Sequence, residues 1–159
     1  MRANMDNRYL VPALGRLYQR LEFLAYPLTR WVSGFIFMTH GAARFRIIDI
    51  GGPTVQGTAG LNAKLGLEPA MFWSQYVTSL ELVGGILLIL GFLTRPAAFL
   101  LAGFMAVATF YVTFGNGFFA RGAQGTGWEY PLVLFILTLS ILLRGGGPLS
   151  IDRFIGREV

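Results

Sequence analysis

Four long apolar stretches, separated by short polar or glycine-rich segments, constrain this 159-residue chain more than any other feature. Hydrophobic residues make up 54% of the chain and charged residues only 13%, and the mean hydropathy is +0.58. A soluble domain carries about a quarter charged residues, so this chain has too little polar surface to cover a folded particle in water. Apolar stretches with few charges are typical of transmembrane helices. The sequence therefore predicts an integral membrane protein.

We place the four predicted spans at residues 28–45, 72–93, 97–114 and 128–143. Each span must be helical, because lipid offers no hydrogen-bond partner to an exposed backbone. Short connections make the second, third and fourth spans antiparallel neighbours. The first and fourth spans are short for an apolar layer of about 30 Å, so we expect tilt or local thinning there. The predicted fold is all-α, with an integral membrane four-helix bundle over residues 27–144.

Three segments lie outside the predicted spans. Residues 1–26 form a cytoplasmic segment with an amphipathic helix, whose leucines recur at helical spacing: Leu10, Leu14, Leu17, Leu21 and Leu24. This helix either lies on the membrane surface or packs against the inner end of the bundle. Residues 47–69 are rich in glycine and polar residues and predict an outer-face loop. Residues 145–159 form a short cytoplasmic tail.

The basic residues predict the orientation of the chain. With the N-terminus inside, nine of the 13 lysines and arginines fall on the cytoplasmic side and four on the outer side. This asymmetry places both termini in the cytoplasm of a bacterial or archaeal cell, with the chain in the cytoplasmic membrane. The basic residues sit at the ends of apolar stretches, where they contact lipid headgroups, so the net charge of +5 does not indicate nucleic-acid binding. The absence of cysteine excludes a thiolate metal site and a thiol relay in this chain.

A few ionisable or polar residues within or beside the spans mark the candidate site, because such residues are costly in lipid. His40 and Arg44 lie four residues apart near the outer end of the first span. His40 is about 8 Å below the outer end of that helix and Glu81 about 15 Å below the outer end of the second. These depths predict that "THGAAR" faces Glu81 across the bundle. Glu129 opens the fourth span, and Asn116 lies in the connection before it.

Two interpretations of these residues stay open. In the structural one, Arg44 pairs with Glu81 or Glu129, His40 hydrogen-bonds a backbone carbonyl, and the network fixes helix register. In the functional one, the residues line a pocket in the outer half of the bilayer, with His40 and Glu81 as catalytic groups. We favour the structural interpretation for Arg44 and the functional one for His40 with Glu81. One histidine and no cysteine give no strong metal constellation.

Longer motifs resemble a known family. The chain contains "FIFMTHGAARF", "LELVGGILLILGFLTRPAAF", "GNGFFARGAQGTGWEYP" and "GGGPLSID". Together these resemble the DoxX family of small four-span bacterial and archaeal membrane proteins, over residues 31–152. Ten residues occupy the motif positions: His40, Gly41, Arg44, Glu81, Gly84, Gly85, Gly91, Arg95, Glu129 and Asp152. Arg44 stands where a lysine is more usual, which keeps the charge.

The resemblance implies a membrane subunit or partner of a quinone-linked oxidoreductase. A quinone headgroup would then occupy the outer-half pocket, with no metal or flavin evident. His40 would hydrogen-bond a quinone oxygen, Glu81 would exchange its proton, and Arg44, Glu129 and Asn116 would contact the bound group. Other oxidoreductase subunits and membrane lipids are the implied partners, and a homo-oligomer is an open alternative. The competing hypothesis is a non-enzymatic scaffold or small-solute carrier, in which the polar cluster only fixes helix packing.

Overall fold

A computed structural model describes residues 11–119 and 126–156, which form helices and turns with no strand in these two ranges. The helices are α1 (Pro12–Arg44), α2 (Val55–Lys64), α3 (Ala70–Leu90), α4 (Thr94–Val107), α5 (Glu129–Arg144) and α6 (Ile151–Ile155). A π-helix (Ala108–Thr113) and a 3-10 turn (Phe114–Asn116) continue α4. Four parts of the predictions lie outside the described residues: positions 1–10 of the N-terminal segment, positions 120–125, positions 157–159 of the tail, and the basic residues of the orientation count at 2, 8, 121 and 157.

One continuous helix replaces the predicted surface helix and first span. α1 has 33 residues and passes through Pro27 without a break, so it is about 50 Å long. A proline inside a helix removes one backbone hydrogen bond but is tolerated at a helix start, which is where the predicted bundle of residues 27–144 puts Pro27. Tertiary contacts on either side hold the helix together there. The Tyr26 hydroxyl donates to the carbonyl of Gly145, and the fully buried Arg30 donates to the carbonyls of Leu88 and Leu149.

The predicted outer loop is also partly wrong, because residues 47–69 contain α2. Thr54 caps this helix, and its hydroxyl accepts from the N–H of Gly57 at 3.1 Å. The Ser74 hydroxyl of α3 donates to the carbonyl of Val55 at 2.6 Å, which fixes α2 against α3. Two glycines in α2 lower its helical propensity, so the sequence favoured a loop.

Two helical segments are long and apolar enough to cross a membrane. These are Ala70–Leu90, with 21 residues, and Thr94–Asn116, with 23 residues. They correspond to the second and third predicted spans. α5 has only 16 residues, fewer than the ~20 that span an apolar layer, and α1 carries Arg30 and His40 in its second half. The structure therefore gives an all-helical protein with two candidate spans among the described residues, rather than the predicted four.

Glycines set the closest helix contacts. α1 packs along α3, α3 contacts α4, α4 packs along α5, and α5 also contacts α1. A Cβ atom built on Gly34 of α1 would lie only 2.7 Å from the backbone oxygen of Gly85 in α3. Gly84 faces Leu101 of α4 in the same way, with a built Cβ 3.1 Å from that side chain. Gly84 and Gly85 therefore form a contact notch on two faces of α3, where small residues let the neighbouring helices approach closely.

Asp152, in the segment predicted as a cytoplasmic tail, is hydrogen-bonded to the turn between α3 and α4. The carboxylate of Asp152, which is buried, accepts the N–H groups of Leu93 and Thr94, both at 2.9 Å. These two N–H groups belong to the first turn of α4, where a negative charge is favourable. The N–H of Asp152 donates to the carbonyl of Gly91 at 2.9 Å. The C-terminal segment thus closes the turn between α3 and α4 and leaves the opposite end of these helices for the site.

Candidate functional site

A buried ion pair joins α1 to α3. Arg44 Nη1 lies 2.7 Å from Glu81 Oε2, and the two side chains are 15% and 4% exposed. The contact is an ion pair, and neither of these two atoms makes an aligned hydrogen bond in addition. Gly41 lies one turn before Arg44 and lets the two helices approach this closely, because a Cβ there would meet the backbone of Leu82. The structure therefore places Arg44 of "THGAAR" opposite Glu81, as the sequence predicted.

His40 is paired with an aromatic residue of α5. Its Nε2 lies 3.2 Å from the hydroxyl of Tyr130, and the two ring centroids are 6.1 Å apart. The structural interpretation gave His40 a backbone carbonyl as its partner and the functional one gave it a ligand, and neither identified Tyr130. The sequence did offer one signal for Tyr130: it directly follows the candidate residue Glu129 in "GWEYP", at the start of the same helix.

A cavity of about 330 Å³ brings these four side chains to one place. Its polar wall contains His40, Arg44, Glu81 and Tyr130. The remaining wall is mostly apolar and includes Phe37, Val77, Phe104, Met105, Val112 and Leu134. Thus α1, α2, α3, α4 and α5 all contribute, and the π-helix at Ala108–Thr113 forms part of the lining. π-Helical turns are rare in proteins overall, but those that do occur are frequently found at functional sites.

A second cavity adjoins the first. It has a volume of about 290 Å³ and is lined by Thr39, Ala43 and the 50–53 loop. His40, Arg44 and Pro53 line both cavities, so they form the partition between them. His40 and Arg44 therefore border both cavities.

Two other candidates lie near the cavity without lining it. Glu129 is the first residue of α5, and its N–H donates to the carbonyl of Phe118 at 3.1 Å. The side chain of Asn116 is exposed and donates to the carbonyl of Thr126 at 3.1 Å. Thr126 itself belongs to the cavity wall. The structure therefore brings His40, Arg44 and Glu81 together and leaves Glu129 and Asn116 at the edge.

The chemistry of this cavity follows from its side chains. Arginine and tyrosine supply N–H and O–H donors, histidine can donate or accept, and the carboxylate is an acceptor. An apolar wall with a few convergent polar groups is the usual form of a small-molecule site. Within 11–119 and 126–156, no three histidine, cysteine or carboxylate side chains lie close enough together to hold a metal ion.

Comparisons with known proteins agree with the motifs. The sequence profile of the DoxX family matches residues 25–114, which include His40, Arg44 and Glu81. A protein of Haemophilus influenzae, described as an uncharacterized protein, is 34% identical over 137 residues, covering 84% of this chain and 91% of that protein. A Bacillus subtilis protein named "Putative oxidoreductase CatD" is 26% identical over 128 residues, which cover 80% of this chain and 84% of that protein. No solved structure matches the chain. The profile spans more than half of the chain, and together with the first relative it shows that this protein belongs to the DoxX family of membrane proteins.

Proposed function

We propose that this protein is a membrane subunit or partner of a quinone-linked oxidoreductase, and that the 330 Å³ cavity holds a quinone headgroup. The observation that carries the proposal is one cavity that joins an apolar wall to His40, Tyr130 and the Arg44–Glu81 pair. The name of the Bacillus subtilis relative, "Putative oxidoreductase CatD", supports the reaction class.

The cavity residues fit such a group chemically. A quinone headgroup is a flat apolar ring with oxygen atoms on its rim, so it needs an apolar wall and a few donors. The apolar wall is formed by Phe37, Met105 and Leu134, and the donors are the Tyr130 hydroxyl and the Arg44 guanidinium. The volume lies at the low end of the about 300–1,000 Å³ typical of ligand pockets, so it suits a headgroup and leaves a long tail outside. When bound, the quinone would supply two-electron chemistry, and His40 and Glu81 would be the groups that exchange a proton with its oxygens.

The proposal includes four spans, with α1 and α5 also crossing the cytoplasmic membrane of the cell and both termini inside. Its support is the outward face of these two helices. Large apolar side chains are exposed along both: Leu28, Val32 and Phe35 on α1, and Val133, Ile136 and Leu143 on α5. Contiguous apolar surface of this kind is unfavourable in water and normal against lipid tails. In this orientation the cavity opens in the outer half of the bilayer.

Quinone extraction from the purified protein tests the proposal. The wild type is purified in native-lipid nanodiscs, and bound quinone is quantified against the same preparation of His40→Ala and Tyr130→Phe. We expect near-stoichiometric quinone in the wild type and a loss of at least half in each variant. Tyr76→Phe is the matched control, because Tyr76 is exposed on α3 outside this cavity, and it should retain the wild-type amount. Wild-type protein without quinone, in membranes that contain it, would refute the proposal.

One observation favours a scaffold or carrier role instead. Arg44 and Glu81 compensate each other's charge, and His40 and Tyr130 contact each other, so the cluster can fix α1 against α3 and α5 without any ligand. In that case Glu81→Gln lowers the melting temperature in detergent and leaves ligand content unchanged. Under our proposal Glu81→Gln lowers both the melting temperature and the amount of bound quinone.

A further inference from the structure

The buried Arg44–Glu81 ion pair keeps hydrogen-bonding capacity beyond the contact that joins its two side chains. Arg44 Nε, Arg44 Nη1 and Glu81 Oε2 are each buried without an aligned hydrogen bond in the structure. The Glu81 side chain is 96% buried, since only 4% of it is exposed, and it lines the cavity. Buried polar atoms without partners are rare in proteins, and a catalytic or redox role is one reason for them.

The donor and acceptor types of these atoms select a ligand group. A guanidinium has donors only, and an ionised carboxylate has acceptors only. Arg44 is always charged and lies 2.7 Å from Glu81, which favours the ionised carboxylate. A hydroxyl group satisfies both, because its O–H can donate to Glu81 Oε2 while its oxygen accepts from Arg44. A carbonyl group can only accept, so it satisfies Arg44 and leaves the carboxylate without a donor.

We infer that the cavity binds the reduced, hydroxyl-bearing form of its ligand, a hydroquinone, more tightly than the oxidised, carbonyl-bearing quinone. This inference rests on the proposed function and adds a specificity to it. Glu81 is the discriminating residue, and the positive charge of Arg44 at 2.7 Å favours its ionised form. A hydrogen bond to a charged group corresponds to a preference of about tenfold or more.

The preference has a consequence for electron transfer. Reduction of a quinone to a hydroquinone adds two electrons and two protons, and tighter binding of the reduced form makes that reduction more favourable. For a two-electron couple, each tenfold preference raises the midpoint potential of the bound couple by about 30 mV. The site would therefore accept electrons from a partner more readily than free quinone in the membrane does.

Equilibrium binding of one ligand in two oxidation states tests the inference. A benzoquinone with a decyl tail and its hydroquinone are each titrated, without oxygen, into quinone-depleted wild-type protein in nanodiscs, and the two Kd values are compared. The same titrations are run on Glu81→Gln, whose amide can donate to a carbonyl and so removes the preference. Glu22→Gln makes the same chemical change at an exposed position of α1 outside the cavity, and it should keep the wild-type ratio.

The outcomes separate the inference from the proposed function. A hydroquinone Kd about tenfold below the quinone Kd in the wild type, with a ratio near one in Glu81→Gln, supports the inference. Equal wild-type Kd values, or tighter binding of the quinone, would overturn it while leaving the quinone site in place. Failure of both forms to bind the wild type would remove the proposed function and the inference together. The ratio of the quinone Kd to the hydroquinone Kd in the wild type tests the inference even if Glu81→Gln does not fold.

Discussion

Replacement of Gly41 by alanine tests whether close helix contact builds the candidate site. A Cβ atom at this position would lie 2.5 Å from the backbone nitrogen of Leu82 and 2.8 Å from its Cα. Unstrained contacts between carbon atoms lie at about 3.5–4.0 Å, so α1 and α3 must separate by about 1 Å at this point. The atoms in the way are backbone, which cannot turn aside as a flexible side chain would. The helix separation falls beside the Arg44–Glu81 contact, since Leu82 follows Glu81 in α3.

The expected cost follows from overpacking. Inserting a methyl group into a closely packed contact destabilises a protein by about 1–3 kcal/mol. Alanine recovers part of this, because it favours a helix over glycine by up to about 1 kcal/mol. At about 2–4 °C per kcal/mol for a chain of this size, a net loss of about 1–2 kcal/mol lowers the melting temperature by about 2–8 °C. Thermal unfolding in detergent, followed by intrinsic tryptophan fluorescence, measures the change.

The matched control is Gly103→Ala in α4. Nothing lies within 4 Å of a Cβ built on Gly103, so the substitution adds helical propensity without a steric cost. We expect its melting temperature to equal or exceed that of the wild type. If Gly41→Ala is as stable as Gly103→Ala, the close packing of α1 on α3 at the site is wrong.

Three further predictions address the ion pair, the docked tail and the orientation. Arg44→Gln leaves the buried Glu81 without its counter-charge and should cost about 3–5 kcal/mol, whereas Arg46→Gln breaks only an exposed 3.6 Å pair and should cost less than about 1 kcal/mol in the same unfolding assay. Asp152→Ala removes two hydrogen bonds to a charged group at the start of α4 and should lower stability by about 1.5–3 kcal/mol; an unchanged melting temperature would show that the tail does not stabilise that turn. The native chain has no cysteine, so Asp49→Cys and Phe154→Cys give single thiols at exposed positions. A membrane-impermeant maleimide should label intact cells at position 49 alone, and labelling at position 154 instead would reverse the proposed orientation.

Local sequence signals located several helices of the structure. The predicted spans at 72–93 and 128–143 differ by a few residues from α3 and α5, because long apolar stretches and the residues that end them are local features. The spacing of His40 and Arg44, and the depth of Glu81, also predicted which side chains would face each other. These predictions depend on helix geometry together with the expectation that the first two spans are neighbours.

Long-range contacts decided the features that local signals did not predict. Local signals at Pro27 and in the glycine-containing segment at 47–69 favoured a helix start and a loop, and tertiary contacts gave one long helix and α2 instead. The partner of His40 is Tyr130, 90 positions away, and the partner of Asp152 is the Leu93 N–H, 59 positions away. No periodicity within a single segment encodes such a pairing, because it depends on how two helices are placed in space. The sequence by itself therefore determined the helices of the long apolar stretches and which polar residues are costly in lipid. Only the packing of α1 against α3 and of α5 beside them decided that His40, Arg44, Glu81 and Tyr130 line one cavity.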